Sequence, residues 1–131
     1  QDRDEQRRRL AQIADFEGML SEEGAPLSKC YLHISVEEQR RRLQERLDDP
    51  TKHWKFDYSD IREREYWDQY IAAYEDALAA TSRPHAPWYV IPANHKWVRD
   101  LIVSAILVHT LHRLGMRYPP PPAGLAEVKL D

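Results

Sequence analysis

Cysteine and glycine are both scarce in this chain, with one cysteine and four glycines among 131 residues. Cys30 has no partner for an internal disulfide, and its apolar surroundings suit a small core side chain in a reducing compartment. The glycines, at positions 18, 24, 115 and 124, are too scattered to build a glycine-rich loop that cradles phosphate. No apolar run approaches the roughly 20 residues of a membrane helix, and the charged amino terminus does not resemble a signal peptide. A soluble, cytoplasmic protein with no membrane partner is expected. An excess of positive charge is also missing: the net charge is −3 and the pI about 6.1, so no global field draws the chain to nucleic acid, and any anion site must be local. Neither a Ser-His-Asp order nor a CxxC pair is present. His109 and His112 share a helix face but lack a third ligand, so no metal site is expected in this chain.

What is present describes a folded, charge-coated protein. Hydrophobic residues make up 42% and charged residues 31%, with four tryptophans and seven tyrosines, and the length suits one domain or a piece of one. Gln1 stands directly inside a helical pattern, which fits a fragment or a processed product. Leu10, Ile13, Phe16 and Leu20 fall at helical spacing, predicting a helix over 1–24 that Gly24 and Pro26 stop. "KCYLHIS" predicts a buried strand within 28–35. Ser35 and Glu38 form a capping-box pattern, so a helix with an ensuing mobile loop is expected over 36–57. A helix follows over 58–81, capped by Asp57 or Asp60, with Tyr66, Tyr70 and Tyr74 on one face. "WYVI" predicts a second strand at 88–92. The next helix, 94–115, has Asn94 as its expected cap and an apolar middle that predicts burial on all sides. A proline-rich tail spans 116–131. Two buried strands with helical crossovers imply a parallel sheet, in which ligands bind beyond the carboxyl ends of the strands. Two strands do not cover these helices, so the rest of the sheet is expected from elsewhere.

One stretch concentrates cations: "QRRRLQERLDDPTKHWKF". Arg42 and Arg46 are four residues apart and share a helix face, where guanidinium forks grip phosphate oxygens well. Arg40 and Arg41 point elsewhere. Lys52 and Lys55 flank His53 and Trp54 in the loop, where a closing lid would sit. The plain alternative is a solvated face whose arginines pair with Glu37, Glu38 and Glu45.

"LHISVEEQRRRLQERLDDPTKHWKFDYSDIRERE" and the later "APWYVIPANHKW" resemble the carboxyl-terminal half of the polyphosphate kinase 2 family, and the likeness extends to the amino-terminal "IADFEGMLSEEG". The resemblance implies an α/β fold, the carboxyl-terminal part of a thymidylate-kinase-like P-loop kinase with a three-layer arrangement and a helical lid. It implies transfer of a phosphoryl group between inorganic polyphosphate and ADP, GDP, AMP or GMP, yielding or consuming the corresponding di- and triphosphates. By the same resemblance Arg42 and Arg46 are catalytic lid residues. Lys52, Trp54 and Lys55 bind phosphate from the lid loop, and Asn94 and Lys96 do so after the last strand. Magnesium is implied for the complete enzyme, with ligands outside this chain. The family's P-loop lysine and acidic motif lie upstream of the matching region, so this segment is expected to be inactive alone and to act as a homo-oligomer or with the missing P-loop half. A non-catalytic polyphosphate- or nucleotide-binding module and a purely structural helical partner remain the alternatives.

Overall fold

A computed structural model describes residues 3–129. The order of elements is α1 (Arg3–Glu22), β1 (Lys29–His33), α2 (Val36–Asp48), a 3-10 helix (Pro50–Lys55), α3 (Tyr58–Glu63), a second 3-10 turn (Arg64–Tyr66), α4 (Trp67–Thr81), β2 (Trp88–Pro92), α5 (Lys96–Arg113) and a last 3-10 turn (Leu125–Glu127). Gln1, Asp2, Leu130 and Asp131, at the outer ends of the expected first helix and tail, lie outside the described residues.

β1 and β2 pair in parallel, with Lys29 opposite Trp88 and His33 opposite Pro92. Alternation along β1 sends Lys29, Tyr31 and His33 to one face of the sheet. There Tyr31 lies against Tyr74 of α4, with ring centroids 4.5 Å apart. Lys29 reaches α1, donating to a Glu17 carboxylate oxygen at 2.5 Å and to the Thr81 carbonyl at 2.8 Å. Its ammonium also lies 5.1 Å from the Trp88 ring centre, while the indole N–H donates to the Thr81 hydroxyl at 2.8 Å. One polar knot thereby joins α1, α4 and both strands. α5 packs along β2, whose Ile91 is the largest fully buried side chain.

Several expectations need correction. The segment 58–81 is not one helix; it is interrupted at Arg64–Tyr66. The 49–56 stretch is not an irregular loop but a 3-10 helix, because Pro50 supplies its first turn and the Asp49 carboxylate accepts from the Thr51 N–H. Asn94 does not cap α5, which begins at Lys96 with His95 in the cap position and no side-chain cap. Of the two expected caps of α3, Asp57 takes the role by accepting from the Ser59 N–H, and Asp60 lies within the helix. α5 is not buried all round: Trp97, Leu101, Val108 and Leu111, one stripe of a 3.6-residue helix, are 70, 63, 53 and 49% exposed. β2 packs against α5, and among the described residues the stripe remains exposed. Cys30 is half-buried, at a strand that pairs on one side alone. The stops at Gly24 and Gly115 follow the expected chemistry, both glycines taking the left-handed backbone that closes a helix.

Candidate functional site

The carboxyl ends of both strands open onto a hollow of about 380 Å³ lined by Ser35, Glu37, Glu38, Arg41, Asn94 and His95. Two helices, α2 and α5, start at its rim, so the positive ends of their dipoles lie there. Ser35 caps α2 by accepting from the Glu38 N–H at 3.2 Å. Glu38 does not complete the capping box. Its carboxylate takes the Arg41 guanidinium in two bonds of 2.7 Å and the Arg42 Nε in a third. The Ser35 N–H is satisfied instead by the Asn94 side-chain oxygen at 2.9 Å, from 59 residues away. Arg42 Nη2 continues the link, donating to the Ala93 carbonyl at 2.6 Å and the Asn94 carbonyl at 3.3 Å. The turn after β1 and the turn after β2 are thus clasped together.

The predicted site residues divide into three groups. Arg42 and Asn94 come together in this clasp, and Arg42 spends most of its donors on protein acceptors. Arg46 lies farther along α2 and pairs with Asp60 of α3 at 3.3 Å, both side chains 38% exposed. Lys52, Trp54 and Lys55 lie on the first 3-10 helix. There Lys52 pairs with Asp49 at 2.8 Å, and Lys55 sits 4.9 Å from the ring centre of Trp54, which is 78% exposed. Lys96 opens α5, exposed and without a polar partner among the described residues. No hydrogen bond or ion pair among the described residues joins the lysines of the 3-10 helix to Asn94 or Lys96. The limb holding Arg46, Lys52, Trp54 and Lys55 therefore stands apart from the clasp.

The alternative pairing of the arginines with Glu38 and Glu45 is what the structure shows for Arg41 and Arg42, whereas reasoning from the sequence missed Asp49 and Asp60 as partners of Lys52 and Arg46, and Arg41 as a wall of the hollow. The i,i+3 and i,i+4 spacing of Glu38, Arg41, Arg42 and Glu45 carried part of that signal; the Arg46–Asp60 pair, across a turn, had none. The Arg46–Asp60 and Lys52–Asp49 pairs are solvent-accessible and so open to exchange with other ions.

Hydrogen bonds from Arg41, and secondarily from Arg42, hold the Glu38 carboxyl down at about 2. A carboxylate depressed in the folded state stabilises the fold at pH values above its ordinary range, near 4.5, and loses that contribution as the pH falls toward 2. Glu38→Gln is accordingly expected to lower Tm at pH 6 and to leave it unchanged at pH 2. A Tm difference of equal size at both pH values would refute the assignment.

Among the described residues no group of three or more His, Cys, Asp or Glu side chains is placed to hold a metal ion. None of the described helices is long and apolar enough to cross a membrane.

The family model for polyphosphate kinase 2 matches residues 1–118. The chain belongs to the polyphosphate kinase 2 family. It is 50% identical over 124 residues to an AMP/ADP-polyphosphate phosphotransferase of Meiothermus ruber, a match covering 95% of this chain and 46% of the relative. An uncharacterised protein of Leptolyngbya boryana is 47% identical over 112 residues, 86% of this chain and 82% of that one. The crystal structure of polyphosphate kinase 2 from Arthrobacter aurescens superposes with a TM-score of 0.88 at 45% identity, over 92% of this chain and 43% of the solved one. This chain thus spans less than half of the Meiothermus relative and of the solved kinase. Its parallel strands and flanking helices are those of the α/β P-loop kinase fold found in the solved polyphosphate kinase 2 structures. Kinases of this kind generally work with a divalent metal.

Proposed function

We propose that this chain supplies the lid and carboxyl-terminal half of a phosphotransferase that moves a phosphoryl group between inorganic polyphosphate and a nucleoside mono- or diphosphate. The observation that carries the reading is the outer limb, where Arg46, Lys52 and Lys55 stand within one helix, one 3-10 turn and their junction, held by exposed ion pairs that are easily exchanged. The name of the Meiothermus relative supports the substrate class. Phosphoryl transfer asks for positioning and charge neutralisation rather than covalent help from the protein, and a mobile arginine and lysines supply both.

In this reading Arg46 neutralises the transferring phosphoryl group, Lys52 and Lys55 track the polyphosphate, and Trp54 gives the lysines an apolar platform. Lys96, at the start of α5, faces the nucleotide end. Asn94 and Arg42, assigned to ligand contact by resemblance, act through the clasp by holding the two post-strand turns at a fixed distance. Magnesium, expected for the complete enzyme, would supply charge neutralisation at the phosphates and would be held by residues outside this chain. The open edges of β1 and β2 and the exposed stripe of α5 are covered by the P-loop half or by a second copy. A cytoplasmic location, where nucleotides and a free thiol coexist, belongs to the same reading.

The test is binding of long-chain polyphosphate to the chain across a salt series. Affinity is expected to fall linearly on a log–log plot, with the slope reduced by about one in Lys55→Ala, as for other line charges. Absence of salt-dependent binding would overturn the proposal.

A further inference from the structure

The Arg46–Asp60 pair is unlike the other ion pairs of α2 and the first 3-10 helix. The Arg41 pairs with Glu38 and Glu45 join residues on one helix, and Lys52 pairs with Asp49 three residues before it. Arg46 and Asp60 instead join two helices, α2 and α3, across the whole 3-10 excursion that carries Lys52, Trp54 and Lys55. Asp60 has no capping duty, since Asp57 performs it. Its carboxylate accepts from Arg46 Nη1 alone, and the other donors of Arg46 meet no protein acceptor among the described residues.

A carboxylate and a phosphate oxygen compete for the same guanidinium face, because both offer paired anionic acceptors at matching separation. We propose that Asp60 is the resident occupant of the Arg46 phosphate site: a residue that sets affinity for the polyanion by holding its place, and that closes the base of the 3-10 excursion while the site has no phosphate. The inference rests on the flap reading proposed above. Ligand binding is then an exchange, with phosphate entering at Arg46 as Asp60 is released to water. The loss of a half-exposed pair opposes binding by the small amount such pairs contribute, and its removal favours binding by the same amount. Asp49 stands in a similar relation to Lys52, but it also accepts from the Thr51 N–H and hydroxyl and shapes the turn, so Asp60 is the cleaner probe.

The experiment measures equilibrium binding of long-chain polyphosphate to the full chain, using wild type, Asp60→Asn, Arg46→Ala and the double variant, with Asp68→Asn as a control. Asp68 lies in the first turn of α4 and matches the charge change and helix position without touching Arg46. Asp60→Asn is expected to tighten binding about two- to fivefold. Asp68→Asn should leave it unchanged, and the double variant should bind no better than Arg46→Ala. Equal or weaker binding in Asp60→Asn, or equal tightening in Asp68→Asn, overturns the inference while leaving the flap reading intact. If wild type binds no polyphosphate, the flap reading fails and the inference with it. Circular dichroism of each variant identifies any loss of helix; Asp60→Asn binding no tighter with full helix retained counts against the proposal.

Discussion

Glu17→Ala is expected to lower the unfolding free energy of the chain by about 3–5 kcal/mol, the range for stranding one partner of a buried ion pair. The Glu17 and Lys29 side chains are only 12% and 14% exposed, and their charged atoms stand 2.5 Å apart. Removing the carboxylate leaves an ammonium with one carbonyl, from Thr81, and one indole face for company. It also frees α1 from β1, so the amino-terminal helix loses its polar anchor to the sheet as well as its charge partner. The comparison that separates charge from packing is Glu17→Leu with Lys29→Met. Replacing both ions by apolar groups of similar volume is expected to cost far less than the single change, or to stabilise. Urea denaturation followed by far-ultraviolet circular dichroism measures both. A loss below about 1 kcal/mol in Glu17→Ala would show that the pair is solvated like an ordinary surface bridge.

The second large effect falls on chemistry. With the P-loop half supplied, Arg46→Ala is expected to reduce phosphoryl transfer from polyphosphate to ADP or GDP by about 10²–10³-fold, the scale seen when one preorganised donor to a developing charge is removed. Arg46→Lys should recover only part of this, since an ammonium keeps the charge but not the planar fork. The loss should appear mainly in kcat if, as proposed, Lys52 and Lys55 still hold the polyphosphate. Full transfer activity in Arg46→Ala would remove this residue from the mechanism.

Much of the element order was legible because it rests on local rules. The Ser35 cap, the glycine stops at 24 and 115 and the aromatic-rich strand segments act over a few residues, and the structure places them where those rules put them. The misreadings share a different origin. Asn94 follows a strand and precedes a helix, so a cap was the natural local assignment, yet its partner is the Ser35 N–H on another crossover. Arg42 carries the spacing of a free phosphate fork, and its Nη2 is engaged by carbonyls 51 and 52 residues away. The break after Glu63 contains neither proline nor glycine and is invisible to helix-breaking rules; it coincides with a hydrogen bond from Arg64 to Gln39 on α2. The apolar middle of α5 reads as fully buried because composition alone does not say how many sides are covered, and among the described residues Trp97, Leu101, Val108 and Leu111 stay exposed.

The break at Arg64–Tyr66 also lies beside the root of the excursion that carries the lid lysines in the proposed function. Arg64 donates to the Gln39 side chain at 2.7 Å and reaches the Val36 carbonyl at 3.5 Å, while the Asn94 clasp fixes the same first turn of α2 from the sheet side. The hairpin is therefore pinned at two points across its root, like a trapdoor on paired pins. If the excursion moves as the proposed lid does, these two anchors would leave its far end, with Lys52, Trp54 and Lys55, as the part free to approach the polyanion.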